Sequence, residues 1–272
     1  MMILCLAISL PGREKLMQPL SVTAYLAGSI ALARPSDISL DGLLAYQVLR
    51  RHMGNDFYTH ADGREVLCFA RLPLEMRGEI PEAVSKLQTG DVWMNPRQGI
   101  IDQSFWYWSC SSAQTVVAAR QTQYWNKRFD THPALSNHVD FGGRVEKVII
   151  ENGRYKAYHM PLSTLITDKI VWYAYGNLEE IRTLLTPITA IGKKRSYGNG
   201  MVMRWSVEPM EEDWSEWKEQ ELMRPLPGAT ALHWATRGAF DLEHRAFRAP
   251  QWHPANQAMC LSKGRRDAVS CV

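Results

Sequence analysis

The order of strand-like and helix-like segments is the feature that most constrains the fold of this chain. Residues 20–26 alternate apolar and polar side chains, which is typical of a half-buried strand. Ser39 is placed to cap a following helix, because the next residues carry apolar side chains at helical spacing. That apolar stripe consists of Leu40, Leu43, Leu44, Val48 and Leu49.

The same kinds of segment return after residue 144. Asn152-Gly153 separates two segments, 145–150 and 154–160, and predicts a tight hairpin because both turn positions accept positive φ. Residues 170–175 indicate a strand. The pair Asn177 and Glu180 then forms a capping box that opens a second amphipathic helix.

A last strand is predicted over residues 201–207. Strand, helix, hairpin, strand, helix and strand, in that order, predict an α+β fold of the ferredoxin-like (RRM-like) type. The chain then divides into an extension that is non-native or disordered, a two-part core, a long insertion and an irregular C-terminal extension. Their bounds are 1–16 for the first, 17–53 and 145–208 for the core, 54–144 for the insertion, and 209–272 for the last.

Composition and cysteine placement exclude several classes of protein. The 272 residues are 46% hydrophobic and 22% charged, close to globular averages, so a wholly disordered or coiled-coil chain is not expected. Its five cysteines are scattered without the close pairs that a zinc site uses, which predicts reduced thiols in the cytoplasm, no metal and no cofactor. The apolar run near the start spans about ten residues, too few to cross a bilayer.

A basic, glycine-rich loop precedes the last predicted strand. Residues 192–204 carry four cations and no acid, and their glycines allow backbone amides to approach an anion closely. Cations neutralise phosphates, and an aromatic ring among them can stack on a base. The candidate RNA-binding residues here are Gly192, Lys193, Lys194, Arg195, Tyr197, Gly198, Gly200 and Arg204. The alternative interpretation is that this loop is a solvated basic turn without a binding function.

This loop resembles the signature of the RAMP superfamily of CRISPR RNA-binding proteins. The matching residues are Ile191-Gly-Lys-Lys-Arg-Ser-Tyr-Gly-Asn-Gly200, followed by a strand. The stretches PLSVTAYLAGSIAL and LDGLLAY resemble, within that superfamily, the Cas-five-like subunit of type IV (Csf) effector complexes, the third Csf protein.

The resemblance implies a RAMP fold in which the insertion at 54–144 is thumb-like. It also implies a non-catalytic subunit that caps the 5′ handle of the guide RNA. Such a subunit contacts a Cas-seven-like backbone subunit and a Cas-eight-like large subunit, and it sits near the PAM-side duplex of the target DNA. Base pairing then reads the sequence, while protein reads shape and phosphates.

The inserted region holds two aromatic segments. Residues 120–128 interleave cations with aromatic rings, a pattern that suits single-stranded RNA because bases stack while cations follow the backbone. A solvated face is an equally good interpretation of this segment. Its candidate RNA-binding residues are Arg120, Tyr124, Trp125, Lys127 and Arg128. Consecutive aromatic residues at 105–108 favour the core instead.

An acidic segment follows the last predicted strand. Residues 211–221 hold six carboxylates against one lysine, which predicts a solvated helix or a surface that repels nucleic acid. Trp214 and Trp217 are placed to dock this segment on the body of the protein. Its carboxylates have no recurring ligand spacing, so a metal site is not expected.

Catalysis is the main alternative function. Related RAMP proteins include metal-independent endoribonucleases that cut guide precursors, and that chemistry needs a base and cations around a phosphate. Four histidines are candidates by residue type alone: His52, His132, His138 and His159. A lone histidine is more often structural, and the resemblance assigns RNA cutting to a separate subunit. We therefore expect no catalytic activity.

Overall fold

The computed structural model describes residues 16–32, 38–54, 66–96, 104–128, 156–227, 240–251 and 253–263. Residues 1–15, the Asn152-Gly153 turn, His132 and His138 lie outside this part of the chain. The strands, in chain order, are β1 (Met17–Leu26), β2 (Ser29–Ala31), β3 (Val66–Ala70), β4 (Met76–Gly78), β5 (Val92–Pro96), β6 (Trp106–Trp108), β7 (Gln114–Thr115), β8 (Ala119–Lys127), β9 (Tyr158–Ile166), β10 (Lys169–Asn177), β11 (Val202–Pro209), β12 (Trp217–Lys218), β13 (Glu221–Leu222), β14 (Leu226–Pro227), β15 (Phe240–Ala246) and β16 (Gln257–Lys263). The helices are α1 (Leu40–Met53), α2 (Glu82–Ser85) and α3 (Leu178–Leu185).

The main sheet has four antiparallel strands in the order β11-β1-β10-β7. Helices α1 and α3 contribute their buried residues to the same core as this sheet. Alternate residues of β1 and β10 are buried in that core, as the apolar alternation predicts. The α+β class predicted from the element order is confirmed. The central residues of the core between this sheet and the two helices are Leu20, Val22, Ala24, Leu40, Leu44, Val48, Ile170, Trp172, Ala174, Ile181 and Leu185.

Both predicted helix starts are confirmed. The Ser39 hydroxyl accepts a hydrogen bond from Gly42 N at 3.2 Å, and the Asn177 side-chain oxygen accepts one from Glu180 N at 3.0 Å. Each cap satisfies an amide that has no partner inside the helix. The two caps therefore fix where α1 and α3 begin, and the apolar faces of both helices pack in the core of the main sheet.

A second sheet has the order β2-β9-β8. Strands β8 and β9 form a long antiparallel hairpin arm, in which Trp125 faces Met160 and Lys127 faces Tyr158. Strand β2 pairs with the other end of β9, from Ser29 opposite Ile166 to Ala31 opposite Thr164. This sheet carries the segment 120–128 to the side of the molecule where β2 lies.

Part of the predicted insertion packs into the main core. Leu72, Leu74, Trp106 and Trp108 are buried with the residues of β1 and β10, and β7 forms an edge of the main sheet. The core interpretation of residues 105–108 is confirmed, since Trp106, Tyr107 and Trp108 are 0–3% exposed. The division of the chain into core and insertion stays a prediction.

Residues 209–272 were expected to form an irregular C-terminal extension, and this is wrong for the described part, 209–227, 240–251 and 253–263. Strands β14, β16 and β15 form a three-stranded antiparallel sheet, and β12 pairs with β13. Residues 240–246 do alternate, but the outward positions include the exposed Leu242 and His244, so hydropathy alone gives a weak strand signal. Cross-strand pairing over a small core around Phe247 and Cys260 stabilises the sheet.

Within the described ranges, every helix is too short or too polar to cross a membrane.

Candidate nucleic-acid interface

The glycines of the basic loop are required by its backbone conformation. Gly192, Gly198 and Gly200 have φ values of 86°, 81° and 67°, in the left-handed region that favours glycine. A Cβ on Gly200 would lie 1.9 Å from the carbonyl oxygen of Ile191, whereas a Cβ on Gly198 would meet open space. Lys194 also has positive φ, at 54°. The loop is therefore a specific, tightly folded turn.

Backbone hydrogen bonds fix this loop to strand β2. Lys193 N donates to Ala31 O at 2.8 Å, and Gly200 N donates to Ser29 O at 2.8 Å. The loop also closes on itself, because Ile191 N donates to Gly200 O at 2.9 Å. With the backbone bound in this way, the side chains of Lys193, Arg195 and Tyr197 are left exposed.

The hairpin arm brings Trp125 against the loop. The Lys194 ammonium lies 2.8 Å from the centre of the Trp125 ring, and Trp125 Nε1 donates to the Tyr197 hydroxyl at 2.5 Å. The rings of Trp125 and Tyr197 meet edge to face, with centroids 6.1 Å apart. Two segments 72 residues apart thus join in one cluster of rings and cations, which we call the loop–arm junction: Trp125, Tyr158, Lys194 and Tyr197.

Tyr158 completes the junction from strand β9. Its ring lies 4.6 Å from that of Trp125, and the Lys127 ammonium lies 5.9 Å from its centre. Sequence reasoning missed Tyr158. The sequence did place Tyr158 in a predicted strand, since it follows the Asn152-Gly153 turn within the segment 154–160. Its partner strand, however, is β8, so the prediction of a hairpin with residues 145–150 did not place it beside Trp125.

The other face of the arm carries a second aromatic pair. Tyr124 stacks on His159 with centroids 4.5 Å apart and planes 9° apart, and His159 Nδ1 hydrogen-bonds the Asn126 side chain. Tyr124 is 60% exposed. Because side chains alternate along a strand, Arg120 lies on the Tyr124 face, opposite to Trp125. The candidates of 120–128 are therefore divided between two faces.

Arg204 takes part in a third contact. Its guanidinium lies 3.6 Å from the centre of the Tyr25 ring, its cross-strand neighbour on β1. Both residues lie on the face of the main sheet opposite the helices. Lys193 and Arg195 have no ring contact of their own among the described residues.

The junction is electropositive. Among the described residues, Lys193, Lys194 and Arg195 form no ion pair with a carboxylate, and Arg128 at the end of β8 is exposed and equally unpaired. Uncompensated cations beside exposed rings can neutralise phosphates and stack on bases. Arrangements of this kind bind single-stranded nucleic acid with little sequence preference.

The acidic segment packs on the outer face of the main sheet. Arg77 from β4 binds three carboxylates, with distances of 2.7 Å to Glu75, 2.6 Å to Asp213 and 2.9 Å to Glu216. Burial opposes charging of Arg77, yet the bonds to Asp213 and Glu216 outweigh it and raise its pKa. The Trp214 ring packs edge to face on Tyr173 at 5.1 Å.

Trp217 docks the end of that segment on the C-terminal sheet, where its ring contacts Phe240 at 5.6 Å. The expectation that Trp214 and Trp217 fix the segment to the body is confirmed. The expectation of a helix is wrong, because β12 and β13 form a short hairpin turned at Glu219, which has a φ of 55°.

The described part of the chain contains no group of three or more His, Cys, Asp or Glu side chains placed to hold a metal ion. Cys110 and Cys260 are free and buried, and burial is the main cause that raises the pKa of each thiol, to about 12 and about 11. Of the four candidate histidines, His52 is exposed at the end of α1, and His159 lies in the stacked pair on the arm.

The chain belongs to a family of CRISPR type IV associated proteins, Csf3, whose family model matches residues 18–263. The matched range includes both the basic loop and the arm. A comparison with curated proteins finds no match. Family membership makes the chain a type IV CRISPR-associated protein and suggests that it works with other Csf subunits.

Proposed function

We propose that this protein is a non-catalytic subunit of a type IV CRISPR effector complex and that it binds guide RNA at the loop–arm junction. The observation that carries the proposal is the meeting of Lys194, Trp125 and Tyr197, drawn from the two segments with the most suitable residues. Phosphates would lie along Lys193, Lys194 and Arg195, and bases would stack on the exposed rings.

The specific role that we propose for this subunit is to cap the 5′ handle of the guide RNA. In this role the protein would contact a Cas-seven-like backbone subunit and a Cas-eight-like large subunit, close to the PAM-side duplex of the target DNA. Support comes from membership of a type IV family and from the position of the loop, between α3 and β11. Base pairing by the guide would then supply sequence recognition.

We also propose that the core is a ferredoxin-like RAMP fold. The strand order β11-β1-β10-β7 supports it, because a β-α-β-β-α-β chain of that type places its last strand beside the first and its third strand on the other side. In this comparison β7 takes the place of the second strand, which therefore lies inside the segment 54–144 that we predicted as a thumb-like insertion.

The test of RNA binding is the triple variant Lys193→Ala, Lys194→Ala and Arg195→Ala. Loss of three cations from the basic loop should weaken guide RNA binding about tenfold or more, and it should lower the slope of log K against log salt concentration by about two to three. Gel-shift titrations at several salt concentrations measure both quantities, and a pull-down reports assembly with the other Csf subunits.

The matched control is Arg50→Ala, Arg51→Ala and Lys86→Ala, which removes the same charge from exposed positions on α1 and after α2. Guide RNA affinity of this control should stay within about twofold of wild type. Equal losses in the two triple variants would contradict the junction as the binding surface, because net charge alone would then explain binding.

The absence of catalysis has its own test. Purified protein incubated with guide precursor RNA in EDTA should leave the RNA intact. Cleavage at a defined position, lost in His159→Ala or His52→Ala, would instead favour a metal-independent endoribonuclease of the same superfamily.

A further inference from the structure

A crevice of about 300 Å³ lies where the C-terminal sheet meets the start of α1 and the segment 110–112, and none of its lining residues belongs to the loop–arm junction. Its lining includes Asp41, Ser112, Arg224, Arg245 and Gln257. This volume is at the lower end of the range for small-molecule sites, which occur preferentially where two packed units meet.

Arg224 gives the crevice a buried positive charge. It is 6% exposed, and its guanidinium donates to the carbonyl oxygens of Trp108, Cys110 and Phe247 while lying 4.5 Å from the centre of the Tyr107 ring. Among the described residues it has no carboxylate partner within ion-pair distance. Buried charges are normally paired, so a guanidinium held only by neutral carbonyls leaves a field that favours an anion.

Arg245 supplies donors that face this crevice. On β15 it pairs with Ala258, so it lies on the same face as the buried Cys260 and not on the face of the exposed Met259. Its contact with Glu243 is long, at 3.5 Å through Nε. Within the described residues the Nη1 and Nη2 groups make no hydrogen bond.

The negative charge in the crevice is already engaged. Asp41 is 2% exposed, and its two oxygens accept hydrogen bonds from Gly42 N at 2.8 Å and from Ala249 N at 3.0 Å. Burial raises the pKa of the Cys110 thiol to about 12, so that group is neutral. The three guanidinium groups of the lining, with Arg248 as the third, therefore outnumber its single carboxylate, that of Asp41.

The remaining polar groups suit an organic ligand that carries a phosphate. The Ser112 hydroxyl and the Gln257 side-chain oxygen have no hydrogen-bond partner among the described residues, and both line the crevice. A bare phosphate would fill only part of this volume. We infer that the crevice binds one nucleotide, with its phosphate on Arg245 and Arg224 and its sugar or base against Ser112 and Gln257.

The test is isothermal titration of the full chain with adenosine 5′-monophosphate, inorganic phosphate and adenosine. The nucleotide should bind saturably and more tightly than either part. Arg245→Gln should weaken nucleotide binding about tenfold, because it removes a charge-assisted bond. Ser112→Tyr, which fills the crevice and leaves its charge intact, should weaken binding at least as much.

Arg50→Ala is the control, because it removes a positive charge from an exposed position on α1 that belongs neither to the crevice lining nor to the loop–arm junction. Its affinity for the nucleotide should match wild type. Retention of full nucleotide affinity in Arg245→Gln would overturn the inference, as would the absence of saturable binding to wild type. Neither outcome bears on guide RNA binding, which the loop variants test separately.

The nucleotide in the crevice could be one unit of a bound RNA strand or a free nucleotide, and a competition experiment separates these two cases. Displacement of the monophosphate by a short single-stranded RNA, also in the Lys193, Lys194, Arg195 triple variant, would assign the crevice to one nucleotide unit of a bound strand. Binding that such RNA does not displace would assign it to a free nucleotide. Both results support a nucleotide site.

Discussion

Two regions of this molecule place cations beside aromatic rings, and their surroundings differ. At the loop–arm junction, Lys194 lies on Trp125 and no described carboxylate pairs with it. On the outer face of the main sheet, Arg77 lies 5.9 Å from the centre of the Tyr175 ring and is bound by three carboxylates. A cation next to a ring therefore does not define a nucleic-acid surface by itself; what decides is whether its charge is already neutralised.

The same comparison bears on where RNA can lie. RNA-binding domains with a four-stranded sheet commonly stack bases on aromatic residues of the open sheet face. Here Tyr173 is covered by Trp214, and Tyr175 by Arg77 with its carboxylates. Protein and negative charge thus occupy that part of the face, and this is one reason why we propose the loop–arm junction as the RNA-binding surface.

Gly200→Ala should cause the largest loss of both stability and RNA affinity. The new Cβ would lie 1.9 Å from Ile191 O, at a φ of 67°, so the loop must shift. We expect a loss of about 3 kcal/mol in unfolding free energy and a large fall in RNA affinity.

Gly198→Ala is the matched control, because it has similar φ and open space around its Cβ. It should cost about 1 kcal/mol and leave RNA affinity near wild type. Denaturant unfolding and gel-shift titration measure both variants. Similar RNA affinities for Gly198→Ala and Gly200→Ala would contradict a role of the loop's shape in positioning the RNA.

The second-largest expected effect is a loss of RNA affinity, and it should differ between two tryptophans. Trp125→Ala removes the ring that joins the arm to the loop, and it should weaken RNA binding about tenfold, within the range for loss of one stacked base. Trp214→Ala removes a ring that covers Tyr173 and should change RNA affinity less than about twofold. A reversed order, measured by fluorescence anisotropy with labelled guide RNA, would move the binding surface to the sheet.

The smallest effect concerns acid stability. Burial alone would raise the pKa of Asp213, but hydrogen bonds from Arg77 and Ser215 outweigh it, and its pKa lies below the ordinary value of 3.8. Its contribution to stability is therefore complete above about pH 5 and is lost as pH falls through the folded pKa.

Asp213→Asn should lower the free energy of unfolding by about 1 kcal/mol at pH 7, because both partners of this ion pair are partly exposed. That difference from wild type should shrink as pH falls below about 4. Thermal or urea unfolding across this range measures it, with RNA affinity at pH 7 unchanged. A difference that does not depend on pH would contradict a charged partner for Arg77.

Local signals in the sequence predicted the elements around the main sheet. Ser39 and Asn177 are caps whose chemistry acts within three residues, and the alternation in β1 and β10 reflects burial on one face. Such features need no knowledge of distant contacts. Both segments of candidate residues, 120–128 and 192–204, were also visible as local clusters of charge and rings.

What could not be predicted depends on long-range pairing. That Trp125 meets Lys194 follows from β9 lying between β2 and β8, a register that hydropathy does not reveal. The role of Arg77 required three carboxylates, two of them more than 130 residues away. Strands β15 and β16 were missed because Leu242 and Met259 are apolar residues on an exposed face.

Ultraviolet crosslinking of the assembled complex to its guide RNA, with crosslinked peptides identified by mass spectrometry, tests RNA binding at the loop–arm junction most directly. Crosslinks should fall in residues 120–128 and 192–204, with Trp125, Lys194 and Tyr197 among the modified positions. Crosslinks confined to Tyr173, Tyr175 and the acidic segment 211–221 would contradict it.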